Sequence, residues 1–109
     1  MEDLLEKKEH IILLHDMYGD LLTDKQNQYI SLYYEEDLSL SEIADDLHVS
    51  RNAVYDNLKR AIKLMEKYEE KLHLLERHQK RMALIDEIEE ENKKKHEDID
   101  EYLEMLRRL

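Results

Sequence analysis

Residues 39–60 read Ser39-Leu40-Ser41-Glu42-Ile43-Ala44-Asp45-Asp46-Leu47-His48-Val49-Ser50-Arg51-Asn52-Ala53-Val54-Tyr55-Asp56-Asn57-Leu58-Lys59-Arg60, and their spacing decides how the rest of the chain is read. Ser39 with Glu42 is a capping box, which starts a helix by satisfying backbone N–H groups that have no partner inside it. Leu40, Ile43, Ala44 and Leu47 then fall at offsets 0, 3, 4 and 7, the spacing of one face of a short helix over about 40–47. His48 and Val49 make a tight turn, and Ser50 is placed to cap a second helix that begins at Arg51. The pattern predicts a helix-turn-helix over residues 39–64. Ala44 is small where the two helices cross, Leu47 and Val49 fill the inside of the turn, and Val54 and Leu58 pack the second helix onto the first. His48 stands where glycine is common, because the turn approaches a left-handed conformation that histidine tolerates better than most residues.

Composition extends the helical reading to the whole chain. Of 109 residues, one is glycine (Gly19), and proline, phenylalanine and tryptophan are absent. Leu, Ile, Met, Ala, Glu and Lys dominate, which enriches helix formers and depletes strand and turn formers. The expected fold is all-α, one domain's worth of chain.

A first helix is predicted over 3–18, with Leu4, Leu5, Ile11, Ile12, Leu14 and Tyr18 as its apolar set. Ile11, Ile12, Leu13 and Leu14 span nearly the full helix circumference, so contacts are needed on more than one side. Either the rest of the chain wraps this helix or a second subunit does; we expect the second. Gly19 ends the helix where a left-handed residue is cheap. Thr23 with Gln26 forms another capping box, for a helix of about 24–35 carrying Tyr29, Ile30, Leu32 and Tyr33.

From Arg51 an apolar stripe runs on without a breaker: Val54, Leu58, Ile62, Met65, Tyr68, Leu72, Leu75, Met82, Ile85 and Ile88. It reads as one helix to about residue 91, or as two joined by a kink. A stripe so long requires a partner helix. Residues 89–98 are nearly all charged, either a solvated turn or an exposed continuation of the helix. Ile99, Tyr102, Leu103, Leu106 and Leu109 mark a final amphipathic helix, and a hairpin returning it onto residues 72–88 would bury both stripes. The expected organisation is thus residues 1–64, the N-terminal helices with the helix-turn-helix, continuous with 65–109, a long-helix extension and C-terminal helix. A homodimer is expected, with Ile11, Ile12, Leu14, Leu72 and Leu75 at its interface.

Net charge is −11, which argues against a nonspecific polyanion binder. Its distribution is uneven. Residues 51–81 hold nine Lys or Arg against five acids, while the other 78 residues hold eight against 23. One basic helix in an acidic protein can guide an anionic partner onto a single face; alternatively, its lysines only solvate a long helix by pairing with glutamates. The outward positions of the second helix are Arg51, Asn52, Tyr55, Asp56, Lys59 and Lys63. In a DNA-reading helix-turn-helix the first turns of this helix meet base edges in the major groove. Arg51 and Asn52 suit guanine and adenine edges, while Tyr55, Lys59, Arg60 and Lys63 suit the backbone. Asp56 opposes phosphate binding. The competing reading is a helical scaffold whose motif only packs or binds protein.

Other chemistries find little support. Without cysteine there is no disulfide, thiolate metal site or thiol nucleophile. His10/His15 and His73/His78 are each five apart, about 140° around a helix, so neither pair shares an ion; no metal or cofactor is expected. Acidic neighbours such as Asp45 and Asp46 come without a nucleophile–base pair or a glycine-rich loop, so no enzyme is expected. The acidic start Met1-Glu2-Asp3 has no signal-peptide profile, and the longest apolar run is Ile11–Leu14, so a cytoplasmic protein without membrane insertion is expected. The starting Met suggests a full-length chain.

From the second helix onward the order Leu-Thr-x-x-Gln, Leu-Ser-Leu-Ser-Glu-Ile-Ala and Val-Ser-Arg-x-Ala-Val-Tyr-Asp-Asn resembles region four of bacterial sigma factors. More closely, nearly the whole chain resembles the YlxM family of Gram-positive bacteria. The resemblance rests on Tyr33, Leu40-Ser41-Glu42-Ile43-Ala44, Ser50-Arg51, Ala53-Val54-Tyr55-Asp56-Asn57 and Tyr68-Glu69-x-Lys71-Leu72, with Asn52 where the family commonly has Gln. It implies a regulatory protein of the signal recognition particle pathway, encoded beside the genes for the particle's GTPase. The implied partners are DNA, the particle's RNA, or the GTPase itself.

Overall fold

The computed structural model describes residues 7–95 and 99–109. Among these the chain is all-α: helices α1 (Lys8–Tyr18), α2 (Asp24–Ile30), α3 (Leu40–Leu47), α4 (Arg51–Leu72), α5 (Leu74–Lys95) and α6 (Asp100–Arg107), with no strand. Leu4 and Leu5, assigned above to the first helix, lie outside the described residues, as do positions 96–98 of the charged run. The chain divides after His73 into two compact units. The division falls beyond residue 64 because α4 carries the second helix of the motif on to Leu72.

In the first unit α1, α2 and α3 all pack on α4. The α4 face that receives them is Val54, Leu58, Ala61, Ile62 and Met65, at helical steps of three and four, and each is fully buried. Opposing buried residues are Ile11, Leu14 and Tyr18 on α1, Tyr29 and Ile30 on α2, and Leu40 and Ile43 on α3. Tyr18 also donates a hydrogen bond to Glu69 Oε1 at 2.5 Å and lies 5.9 Å, centroid to centroid, from the Tyr68 ring. That aromatic and polar pair fastens the end of α1 to the last turn of α4.

This packing corrects the residues chosen for a subunit interface. Ile11 and Leu14 are 0% exposed within the chain itself, because α1 lies on α4. Leu75 is buried as well, while Ile12 is half-buried and Leu13 and Leu72 are exposed. The four-residue apolar run therefore has its inner side covered by the chain's own helices, neighbours that no local pattern displays.

Gly19 also departs from expectation. Its φ is −55°, right-handed, and α1 passes through it into a tight turn, Gly19–Leu21. The space beside it is tight: a Cβ there would stand 3.1 Å from His15 Nε2. That nitrogen is held 2.7 Å from Asn27 Oδ1, and Asn27 Nδ2 donates to the Gly19 carbonyl at 2.9 Å. Glycine thus admits a closed His15–Asn27 bracket between α1 and α2.

Helix α2 has the expected Thr23–Gln26 capping box but loosens at Ser31–Glu35 into a π-helical turn, which ends at the left-handed Asp37 (φ 56°). Tyr34 on this turn is buried, which pushes its phenol well above the usual range, and it meets Tyr33 edge-on at 4.9 Å. Of the two readings of residues 51–91, the structure takes the kinked one. His73 is left-handed (φ 55°), and its N–H donates to the Glu69 carbonyl at 2.9 Å, ending α4.

The second unit is a hairpin in which α6 turns back onto α5. Arg107 closes it, donating to Glu89, to Glu104 at 2.9 Å and to Asp86 at 3.5 Å. The guanidinium holds the Glu89 carboxyl below its ordinary range. Leu75, Ile85 and Leu103 are the buried apolar side chains, and Asn92 is buried too, with its Nδ2 donating to Asp100 Oδ1 at 3.1 Å. Tyr102, Met105, Leu106 and Leu109 form one outward face of α6, lining a shallow cleft of about 440 Å³.

Because Leu58 sits in the face that three helices share, Leu58→Ala should cost about 2–5 kcal/mol by denaturant unfolding. Leu21→Ala, at an exposed position, should stay within about 0.5 kcal/mol of wild type.

Candidate nucleic-acid interface

The motif is assembled by local hydrogen bonds that the sequence spells out. Ser39 Oγ accepts from the Glu42 N–H at 3.1 Å, and Glu42 Oε1 accepts from the Ser39 N–H at 3.0 Å. At the other end of α3, His48 takes up φ 57° and ψ 44°, the left-handed geometry expected of the turn. The His48 and Val49 N–H groups both donate to the Ala44 carbonyl, the latter at 3.0 Å. Ser50 Oγ then accepts from the Ala53 N–H at 3.0 Å and starts α4. Five hydrogen bonds and one left-handed residue thus build the two helix starts and the turn between them.

One packing assignment in the turn needs correction. Val49 is exposed and Leu47 only half-buried; the buried residues flanking the turn are Ile43, Ala44 and Val54. A turn this tight leaves its own side chains at the rim and brings the helix faces together beneath them.

Helix α4 sorts the named residues by face. Asn52, Asp56, Arg60 and Lys63 are exposed and Lys59 is half-buried, on the side away from the buried stripe. At about 100° per residue these five fall within one outward sector. Tyr55, half-buried, is nearer the edge of that sector, while Arg51, exposed at the helix start, lies on the side of Leu58 and Ile62. The structure therefore brings Asn52, Lys59, Arg60 and Lys63 onto one face, sets Tyr55 along its flank and leaves Arg51 off that face, at the end of the helix. Asp56 stands among the bases and lowers the local positive field. Lys67, also exposed, extends the strip by one turn; it was overlooked, although its place four residues beyond Lys63 was legible. Asn57 turns inward, its Nδ2 donating to the Ala53 carbonyl at 2.8 Å, so it serves the helix and not the surface.

Beside the start of α3 an open cleft of about 410 Å³ is lined by Lys8, Tyr33, Tyr34, Asp37, Leu38, Ser39 and Glu42. Lys8 bridges Asp37 across it at 2.6 Å. Among the described residues no His, Cys, Asp or Glu cluster is arranged to hold a metal ion, and no helix is long and apolar enough to cross a membrane.

The capping box is titratable at one end only. Hydrogen bonds from Ser39 lower the Glu42 pKa, so this contact stabilises the fold above the ordinary glutamate range and is lost as pH falls through the lowered folded value. Glu42→Gln keeps both hydrogen bonds, as Gln26 does in the first box, without the titration. Its thermal midpoint should therefore fall less than that of wild type between about pH 6 and 3.

Comparison with known proteins agrees with this geometry. Residues 5–105 match the model of family UPF0122, described as "Putative helix-turn-helix protein, YlxM / p13 like". A UPF0122 protein of Listeria innocua is 45% identical, covering 97% of this chain and 99% of that protein. One from Bacillus cereus is 44% identical over the same shares. The chain belongs to the UPF0122 family.

Proposed function

Proceeding from that membership, we propose that this protein is a non-enzymatic, cytoplasmic helix-turn-helix regulator that binds nucleic acid through the outward side of α4. The observation that carries this reading is the strip of Lys59, Arg60 and Lys63, on the second helix of a fully capped motif. Arg51 and Asn52 lie in the first turn of α4, at the end from which recognition helices meet base edges. The acidic remainder of the chain repels polyanions from other faces, which favours one orientation of approach. We place the activity in the signal recognition particle pathway, as the YlxM likeness implies, with DNA or the particle's RNA as the nucleic acid.

A second reading has its own observation. The exposed face of Tyr102, Met105, Leu106 and Leu109 suits protein recognition, where the aromatic and methionine side chains anchor contact. On this reading the chain binds the particle's GTPase without reading DNA.

Titrating labelled duplex DNA and the particle RNA at about 50 and 200 mM salt separates the two. Three to four phosphate contacts should weaken binding about 40- to 150-fold between those conditions. Lys63→Ala should weaken binding to all sequences alike and lower the salt slope by about 1, whereas Arg51→Ala should relax sequence preference by about 1–3 kcal/mol. Absence of binding to either nucleic acid at low salt, with GTPase binding lost in Tyr102→Ser, would establish the second reading instead.

A further inference from the structure

Helix α5 carries an outward stripe that nothing in the helix-turn-helix uses. Its buried side is Leu75, Ile85 and Asn92. On the other side Leu84 is 59% exposed, with Ile88 also exposed and Arg77, Lys80, Arg81, Glu87 and Glu91 along the same sector. Arg77, Leu84 and Glu91 are spaced by sevens, so they lie on one line down the helix. The charge along this line reverses sign at Leu84. Between Arg77 and Glu91 basic residues precede it and acidic residues follow: Arg77 and Glu91 seven positions away, Lys80 four before and Glu87 three after.

We infer that this stripe pairs with the same stripe of a second copy, antiparallel, about a two-fold axis through Leu84. A two-fold interface is self-complementary, so each residue must suit the residue about equally far beyond the axis. Here Leu84 meets the partner's Leu84, while Arg77 faces the partner's Glu91 and Lys80 the partner's Glu87. Ile88 packs along the alkyl stem of the partner's Arg81. A parallel pairing would set Arg77 against Arg77 and Glu91 against Glu91, which is repulsive. The reversal about one exposed leucine favours a second copy, because an identical stripe supplies the charge complements of Arg77, Lys80, Glu87 and Glu91. An open groove of about 320 Å³, lined by Glu87, Ile88, Glu91, Asn92, Lys95 and Ile99, gives the incoming Arg77 room at the acidic half. The ion pairs within the helix, Glu76–Lys80 at 3.0 Å and Glu91–Lys94 at 3.7 Å, are solvent-exposed and exchange easily. This inference is independent of what α4 binds.

The test is sedimentation equilibrium of the full chain, with circular dichroism to confirm helicity. Wild type should dimerise, more weakly at high salt. Leu84→Arg sets like charges on the axis and should raise the dimer Kd about tenfold or more; Arg77→Glu should act in the same direction. The exchange Arg77→Glu with Glu91→Arg should restore dimerisation, which no loss of folding can mimic. The proposal is overturned by a monomer at all concentrations, by failure of the exchange to restore association, or by a dimer that persists in Leu84→Arg and dissolves in Tyr102→Ser/Met105→Ser.

Discussion

Val54, Leu58, Ala61, Ile62 and Met65 are the surface on which the first unit is built, since α1, α2 and α3 each bury an apolar face against this one helix. None of those three is long enough to persist in water by itself. Their stability comes from sharing α4, and so does their placement. The outward side of α4 is positioned by the same act: once the buried stripe is engaged by three helices, the rotation of Asn52, Lys59, Arg60 and Lys63 about the axis is no longer free. A presentation face is thus held rigid by its opposite face, which fits a role in recognition.

Backbone geometry is handled unusually in a chain with one glycine. The left-handed positions among the described residues are Asp37, His48 and His73, while Gly19 is right-handed. A left-handed non-glycine residue costs on the order of 1–2 kcal/mol. Asp and His are among the types that bear this more readily, and each of the three sits at the end of a helical segment. Glycine stands where a Cβ would crowd His15.

Charge acts on two scales. The total is strongly acidic, yet α4 and the first half of α5 carry most of the bases, and the sign changes again within α5. Net charge alone says little about such a molecule, because screening confines each charge to its neighbourhood of about 8–10 Å. What matters is which face a cluster occupies. On α4 most of the bases gather on one exposed side; on α5 they precede one exposed leucine and acids follow it. We infer an anionic partner from the first arrangement and a second copy from the other.

The residues determine by themselves whatever depends on neighbours a few positions away. The all-α class, both capping boxes, the Ser50 cap, the left-handed turn at His48 and the buried stripe of α4 were legible because each is a contact within one or two helical turns. The candidate site was legible for the same reason, except that Lys67 was overlooked. Tertiary structure decided the rest. It closed α1 onto α4 and so took Ile11 and Leu14 inside, and it set Gly19 close against a histidine bound to another helix. The break at His73 is a left-handed cap between leucines that carry no stop signal. For Ile11, Leu14 and Gly19 the deciding contact depends on how helices pack, and a periodic pattern shows which side is apolar but never what will cover it.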